Sequence, residues 1–353
     1  MAWGNLEKNY HIFSIFLFIN LPMLIIAEIG LTHDGSLGMA HAFIDALAPS
    51  GVDAIKFQTH IPEAESSPYE PFRVPFSYQD KSRMDYWRRT AFTPEQWAGL
   101  KAHCDEKGVE FMSSPFSNAA VDLLENIGVK RYKVGSGEVN NMLLLEKIAR
   151  TGKPVILSSG MSSYAELDRS VEFLRSRNVE FSIMQCSTAY PTKPAQWGLN
   201  VIGELKARYG VPVGFSDHSG VPESALAAVA LGAELLEFHV TFHKQMFGPD
   251  VPASLTIEET AYTVKAVRNI LEALNNPVDK TDNSAFTDVK QIFEKSLAVN
   301  KNLPAGHVLR FEDLEAKKPK GYGIPASAFQ KVIGRKLSKP KNQWDFLKEK
   351  DLI

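Results

Sequence analysis

Cysteine is almost absent from this chain: two residues, Cys104 and Cys186, in 353. That excludes a scaffold of bridges, the pair lacks metal-type spacing, and so sparse a thiol content fits a reducing, cytoplasmic compartment. An excess of either charge is also missing, with 39 Lys and Arg against 41 Asp and Glu. Without a basic stripe or an acidic tail, neither nucleic acid nor a disordered arm is expected. Long apolar runs are missing too. Ile12 to Ile19 follows Lys8 in the manner of a secretion signal, but Asn20 and Pro22 interrupt it. A membrane span needs about 20 uninterrupted residues, and no small-residue cleavage site precedes Met23. No membrane partner is expected. Residues 1–22 read as an N-terminal extension, either a surface segment or sequence upstream of a start at Met23.

What the chain does have is a repeated alternation. Short apolar runs occur at Leu24–Gly30, Ala54–Thr59, Glu110–Phe116, Arg131–Ser136, Pro154–Gly160, Phe181–Ser187, Val211–His218 and Leu235–Thr241. Runs this short and this apolar suit parallel strands covered on both faces. Helical stretches lie between them at Met39–Ala48, Pro94–Lys107, Asn118–Asn126, Met142–Ala149, Tyr164–Ser176 and Pro222–Leu231. Gly51, Gly108, Gly128, Gly152 and Gly232 stand where helices hand over to strands, as C-terminal capping glycines do. Eight such units in roughly 250 residues predict an α/β fold, a (β/α)8 TIM barrel over residues 23–274. A doubly wound open sheet is the competitor, but the glycine fingerprint that usually follows its first strand is absent.

Active sites of such barrels lie at the C-terminal ends of the strands. Here those ends carry Glu28, Lys56 with Gln58, Ser113 with Ser114, and Lys133 with Ser136. The later ones carry Ser158 with Ser159, Ser187 with Thr188, Ser216 with His218, and His239. A strand meeting water explains any one of them. It does not explain a set repeated at every strand, because a buried Lys or Glu is costly without a partner. The barrel mouth is therefore the predicted site. After Leu274 the chain turns polar and rich in turn residues, so residues 275–294 read as a linker, with a helical stretch at Val289–Lys295. Residues 295–353 form a second, small domain of short strands and turns. About 60 residues make a marginal core, so this module is expected to pack on something, as a surface appendage or as a lid.

His218 and His239 end consecutive strands, so their imidazoles converge. Two histidines without a thiolate suit a borderline-to-hard divalent ion completed by water and substrate oxygens; acid–base or hydrogen-bonding work is the other reading. Lys56 and Lys133, with the serines around them, form a cradle for a phosphate and a carboxylate. Either lysine is alternatively a Schiff-base nucleophile, or merely the partner of Glu28 or Glu138. Spacing does not separate these roles.

The motifs themselves are familiar. Ile26-Ala27-Glu28-Ile29-Gly30 with His33-Asp34-Gly35, Ile55-Lys56-Phe57-Gln58-Thr59, Ser114-Pro115-Phe116 and Lys133-Val134-Gly135-Ser136-Gly137-Glu138 come first. Leu157-Ser158-Ser159-Gly160-Met161, Tyr190-Pro191, Ser216-Asp217-His218-Ser219, Phe238-His239-Val240-Thr241 and Gly248-Pro249-Asp250 follow in order. From Leu24 to the C-terminus the chain resembles the sialic acid (nonulosonate) synthase family, which includes the spore-coat polysaccharide E-type proteins. Its tail resembles that family's antifreeze-like (SAF) module.

The resemblance implies that carbon 3 of phosphoenolpyruvate attacks the aldehyde of an open-chain N-acetylmannosamine-like sugar. Water adds at carbon 2 and phosphate leaves by C–O cleavage. On this pattern His218 and His239 hold Mn2+, or Mg2+ or Co2+, which activates the aldehyde oxygen. Lys56, Lys133, Ser136, Ser158 and Ser216 grip phosphoenolpyruvate, with Ser114 beside its phosphate. Glu28, Gln58, Tyr190 and Asp250 face the sugar, and Glu138 handles a proton or positions the water. A homodimer is also implied, each tail capping the partner barrel so that Lys318 and Tyr322 act in trans.

Three departures matter. Thr188 stands at a phosphoenolpyruvate contact where Asn is common. The opening reads Leu-Thr-His-Asp-Gly where Val-Asn-His-Asn-Gly is usual. Lys318 replaces an arginine that reaches the N-acetyl group, and a lysine lacks the arginine's planar fork, which loosens the sugar assignment and leaves the reaction type. The rival readings are a Schiff-base aldolase using Lys133 or Lys56, a synthase for a 3-deoxy sugar acid of another length, and a non-catalytic barrel scaffold. A scaffold has no need of Glu28, Lys56, Lys133, His218, His239 and Asp250 together.

Overall fold

The computed structural model describes residues 23–353, so the expected N-terminal extension lies outside the described residues. The chain divides into two compact units between Asn276 and Pro277. In the first, strands and helices alternate as β1 (Leu24–Gly30), α1 (Leu37–Leu47), β2 (Ala54–Thr59), α2 (Pro62–Glu65), α3 (Arg83–Thr90), α4 (Pro94–Lys107), β3 (Glu110–Pro115) and α5 (Asn118–Ile127). They continue as β4 (Tyr132–Val134), α6 (Met142–Ala149), β5 (Val155–Ser158), α7 (Tyr164–Ser176), β6 (Phe181–Cys186) and α8 (Asn200–Tyr209). The unit ends with β7 (Val213–Asp217), α9 (Pro222–Ala230), β8 (Leu235–Thr241), β9 (Ser254–Thr256) and α10 (Ile257–Asn275).

The sheet runs β3-β2-β1-β8-β7-β6-β5-β4, with β9 added to β8, and its ladders are parallel. Its two ends, β3 and β4, are neighbours. The result is the (β/α)8 barrel that the alternation predicts, ladder-bonded everywhere except at the β3/β4 seam. Several strands stop before the residues expected to end them: β4 before Ser136, β5 before Gly160, β7 before His218. Ser136 and His218 leave the ladder and turn into the mouth instead.

Local chemistry explains the helix limits. In α4, Thr93 accepts from the Gln96 amide and Gln96 accepts from the Thr93 amide, Pro94 fills the first turn, and Gly108 closes the end at φ 73°. This is a capping box with a left-handed C-terminal glycine. Helices α3, α8 and α10 were not among the expected stretches. Ser82 and Thr256 begin α3 and α10 with capping boxes of their own.

Side-chain alternation divides each strand between two environments. Outward positions such as Ile25, Ala27, Phe57 and Phe111 pack under the helices with Trp97 and Phe43. Inward positions begin with an apolar floor of Ile26, Ala54, Met112, Ile156, Met184 and Leu235. Two residues further along each strand the inward positions become Glu28, Lys56, Ser114, Ser158, Cys186 and Glu237, so the polar mouth rests on a dry plug. At the opposite end Arg268 of α10 donates to the Met23 carbonyl at 3.2 Å and pairs with Asp53 at 2.7 Å. Asp53 in turn accepts from the Ile25 amide at 2.7 Å. Among the described residues no helix is long and apolar enough to cross a membrane.

The second unit contains α11 (Thr287–Phe293), β10 (Ser296–Val299) and β11 (Leu314–Lys317), the two strands pairing antiparallel. Its core is Leu297, Val299, Leu303, Leu309, Ile324, Val332, Leu337, Leu347 and Leu352. Two buried carboxylates fasten its turns. Asp313 pairs with Lys301 at 2.8 Å and His307 at 2.7 Å, and Asp351 pairs with Lys341 at 2.5 Å.

Candidate active site

A cavity of about 230 Å3 opens at the C-terminal ends of the strands. Its deepest wall is a row of alternating charges. Lys56, midway along β2, contacts the Glu28 carboxylate, lies 3.7 Å from Glu237 and donates to Ser114 Oγ at 3.3 Å. Lys133 of β4 reaches Glu237 Oε1 at 3.1 Å and Ser158 Oγ at 2.8 Å. The Ser216 hydroxyl donates to the same Glu237 oxygen at 3.0 Å. Both lysines are 3% exposed, and neither charge would be tolerable there without these partners.

The electrostatics follow. Burial pulls the Lys56 ammonium down to about 7, with the Glu237 charge working against that fall and Lys133 adding to it. Burial opposes the charge of Glu237, yet Lys133 and Lys56 together hold its carboxyl well below the usual range. His239, fully enclosed and near His218 and Lys56, is held well below the ordinary histidine value. Its ring is therefore neutral at neutral pH, the form that ligates metals.

The two histidines face each other with ring centroids 5.2 Å apart. His218 Nδ1 lies 3.0 Å from the Ser187 carbonyl, so that nitrogen carries a proton and Nε2 is the one turned to other partners. Against its burial, Cys186, this carbonyl and Asp217 raise His218 above the ordinary histidine value. His239 Nδ1 is buried without a hydrogen-bond partner. Among the described residues no three His, Cys, Asp or Glu side chains are grouped to hold a metal. The donor set is thus two imidazoles, one of them with an orphaned nitrogen. That fits a divalent ion which takes its remaining ligands from water or substrate.

Above the histidines the Tyr190 ring lies 4.2 Å from that of His218. The Arg73 guanidinium lies over the Tyr190 ring at 4.0 Å and pairs with Asp250 at 2.7 Å. Gly160 bears on the wall through its neighbours. A Cβ there would sit 2.6 Å from both Ser136 Oγ and Thr188 Oγ1, and its amide donates to Ser136 at 3.1 Å.

The cavity brings together thirteen of the expected residues: Glu28, Lys56, Gln58, Ser114, Lys133, Ser136, Ser158, Thr188, Tyr190, Ser216, His218, His239 and Asp250. Two lie elsewhere. Glu138 is outside the wall, where the Asn141 amide donates to it at 2.7 Å and burial raises its carboxyl. Lys318 belongs to the second unit, its ammonium 4.6 Å from the Phe293 ring centre. Sequence reasoning missed Glu237 and Arg73. Glu237 had a signal, since it stands two residues before His239 on a buried strand and so shares its inward face. Arg73, in the long connection between α2 and α3, had none.

The NeuB family model matches residues 43–279. The chain is 31% identical over 332 residues, 92% of its length and 99% of the relative's, to N,N'-diacetyllegionaminic acid synthase of Campylobacter jejuni. It is 33% identical over 322 residues to human N-acetylneuraminate-9-phosphate synthase, covering 90% of this chain and 89% of that one. Among solved structures it resembles the N-acetylneuraminic acid synthetase of Leptospira borgpetersenii, with a TM-score of 0.68 at 31% identity. That match covers 76% of this chain and 90% of the other.

Proposed function

Because the chain belongs to the NeuB family, we propose that it condenses phosphoenolpyruvate with an N-acyl amino-sugar aldehyde to give a nonulosonate and phosphate. A new bond joins carbon 3 of the enolpyruvate to the aldehyde carbon. Water supplies the oxygen at carbon 2, and the C–O bond to phosphate breaks as the 2-keto group forms. The observation that carries this reading is one cavity holding two buried lysines and two facing histidines. Lys56 and Lys133, with the hydroxyls of Ser114, Ser136, Ser158 and Ser216, hold the phosphate and carboxylate in place. Thr188 adds a hydroxyl on the same side. Glu28 and Gln58 orient the sugar, while Tyr190, Arg73 and Asp250 cover the mouth and keep bulk water out. The water that adds at carbon 2 must lose a proton. Against its burial, Lys133 and Lys56 hold the Glu237 carboxyl too low to be an effective base, so the proton leaves with the departing phosphate.

His218 and His239 would hold a divalent ion such as Mn2+, whose Lewis acidity would polarise the aldehyde. Residues 295–353 are proposed to be a SAF module and the working form a homodimer, with Lys318 reaching the sugar in the partner's site. The motif resemblance of the tail supports this, as does the small size of the module's core.

The test is phosphate release from phosphoenolpyruvate with N-acetylmannosamine and its 2,4-diacetamido-trideoxy analogues, each with Mn2+ and with EDTA. Metal-dependent release with one aldehyde is the expected result. Silence with every aldehyde from folded, metal-loaded protein rejects the proposal. The low value of Lys56, about 7, favours one other reading, a Schiff-base aldolase. Borohydride trapping with pyruvate that ignores chelator would establish it instead.

A further inference from the structure

Behind Gln58 lies a part of the structure that the reaction above does not use. His60, 5% exposed, is clamped between two aromatic faces, with Trp87 at 4.0 Å and 18° and Phe116 at 4.5 Å and 10°. Its Nδ1 lies 2.6 Å from Glu65 Oε1, and its Nε2 lies 3.3 Å from Gln58 Oε1. The Gln58 amide has only one possible orientation. Its NH2 group donates to Glu28 Oε1 at 3.0 Å, because a carboxylate can only accept, so its oxygen must face His60. That oxygen needs a donor, so His60 Nε2 carries a proton.

The other nitrogen faces Glu65, whose second oxygen accepts from the Ile61 amide at 3.3 Å, and the ring faces lie against two aromatic systems. We infer that His60 is a positioning residue: fixed by Glu65, it sets the Gln58 amide and, through it, the Glu28 carboxylate that meets the sugar. The inference rests on the reading that the sugar contacts Gln58 and Glu28.

Among the described residues Glu65, from α2, is the carboxylate in direct contact with His60. His33, in the turn after β1, is pushed down to about 3 by its burial and then by His60. Glu138 is raised by burial and, further, by the charge of Glu65. Trp87 and Phe116 bring no charge. Without the His60 ring the Gln58 oxygen loses this donor, and the amide is free to rotate away from Glu28.

Two measurements on the whole protein test this. Nitrogen-15 spectra of the histidine rings, with His60→Phe to assign the signal, are expected to show a proton on His60 Nε2. A bare Nε2 would overturn the inference, and so would an unchanged aldehyde KM in His60→Phe. His60→Phe keeps the stacking and should raise the aldehyde KM on the order of tenfold, leaving the KM for phosphoenolpyruvate in place. The spectrum needs no substrate, so it still decides about His60 if the synthase reaction is not found, and the two failures are told apart.

Discussion

Lys56 and Lys133 share one carboxylate, and that sharing sets what single substitutions will do. Glu237→Gln preserves volume but leaves two enclosed ammonium groups short of a counter-charge. Breaking a buried ionic set in this way costs about 3 kcal/mol or more, an expected loss that urea unfolding will read. Lys56 gives a pH prediction. Its ammonium titrates near 7, charged below that value and neutral above it. The kcat/KM for phosphoenolpyruvate, which reports the free enzyme, is therefore expected to fall as pH rises past about 7. Lys56→Arg should push that limb out of the measurable range even if it lowers the maximum. At this scale most of the site was legible, because a polar residue at the end of an apolar run has few structural excuses. Glu237 escaped since it lies inside its run rather than at its end. Glu138 was placed at the site by motif resemblance, but its side chain is turned toward Asn141.

At the scale of elements, the connection from α2 to α3 matters most. It carries Arg73, whose guanidinium joins Asp250 and Tyr190 across the mouth. The contact is partly exposed, so its ion pair and ring contact contribute modestly. Arg73→Ala is expected to raise the sugar KM about tenfold while the melting temperature stays unchanged. The turn after β1 is the opposite case. Gly35 sits at φ 78°, and a Cβ there would lie 2.4 Å from the Arg89 carbonyl. Gly35→Ala combines a clash with a strained backbone and should lower stability by about 2 kcal/mol or more in thermal unfolding. Helices such as α4, α6 and α7 could be read from the sequence because capping residues and apolar spacing agree. Helix α3 was hidden: Arg83-Met84-Asp85-Tyr86-Trp87-Arg88-Arg89 is mostly polar, and only the Ser82–Asp85 capping box marks it. The packing of Tyr86 and Trp87 against Leu31, which fixes that helix, is a tertiary fact with no local trace.

For the whole molecule, the barrel followed from eight repeats of one pattern, whereas assembly did not follow from any pattern. The proposed exchange of modules in a dimer has a direct test. Lys318→Ala and His239→Ala chains, each inactive or weak alone, are expected to recover activity when refolded together, since one mixed site then has both residues intact. Failure to recover would confine Lys318 to its own chain. The clasp of Arg268 on the Met23 carbonyl and Asp53 has a different consequence. It brings the entry of the first strand and the last helix of the barrel side by side, so the order in which the chain visits the eight units is topologically free. A circular permutant whose barrel is rejoined there and opened at the exposed Arg177–Asn178 turn would keep every strand pairing, and with it the mouth. The site belongs to the ring, not to the point at which the ring is cut.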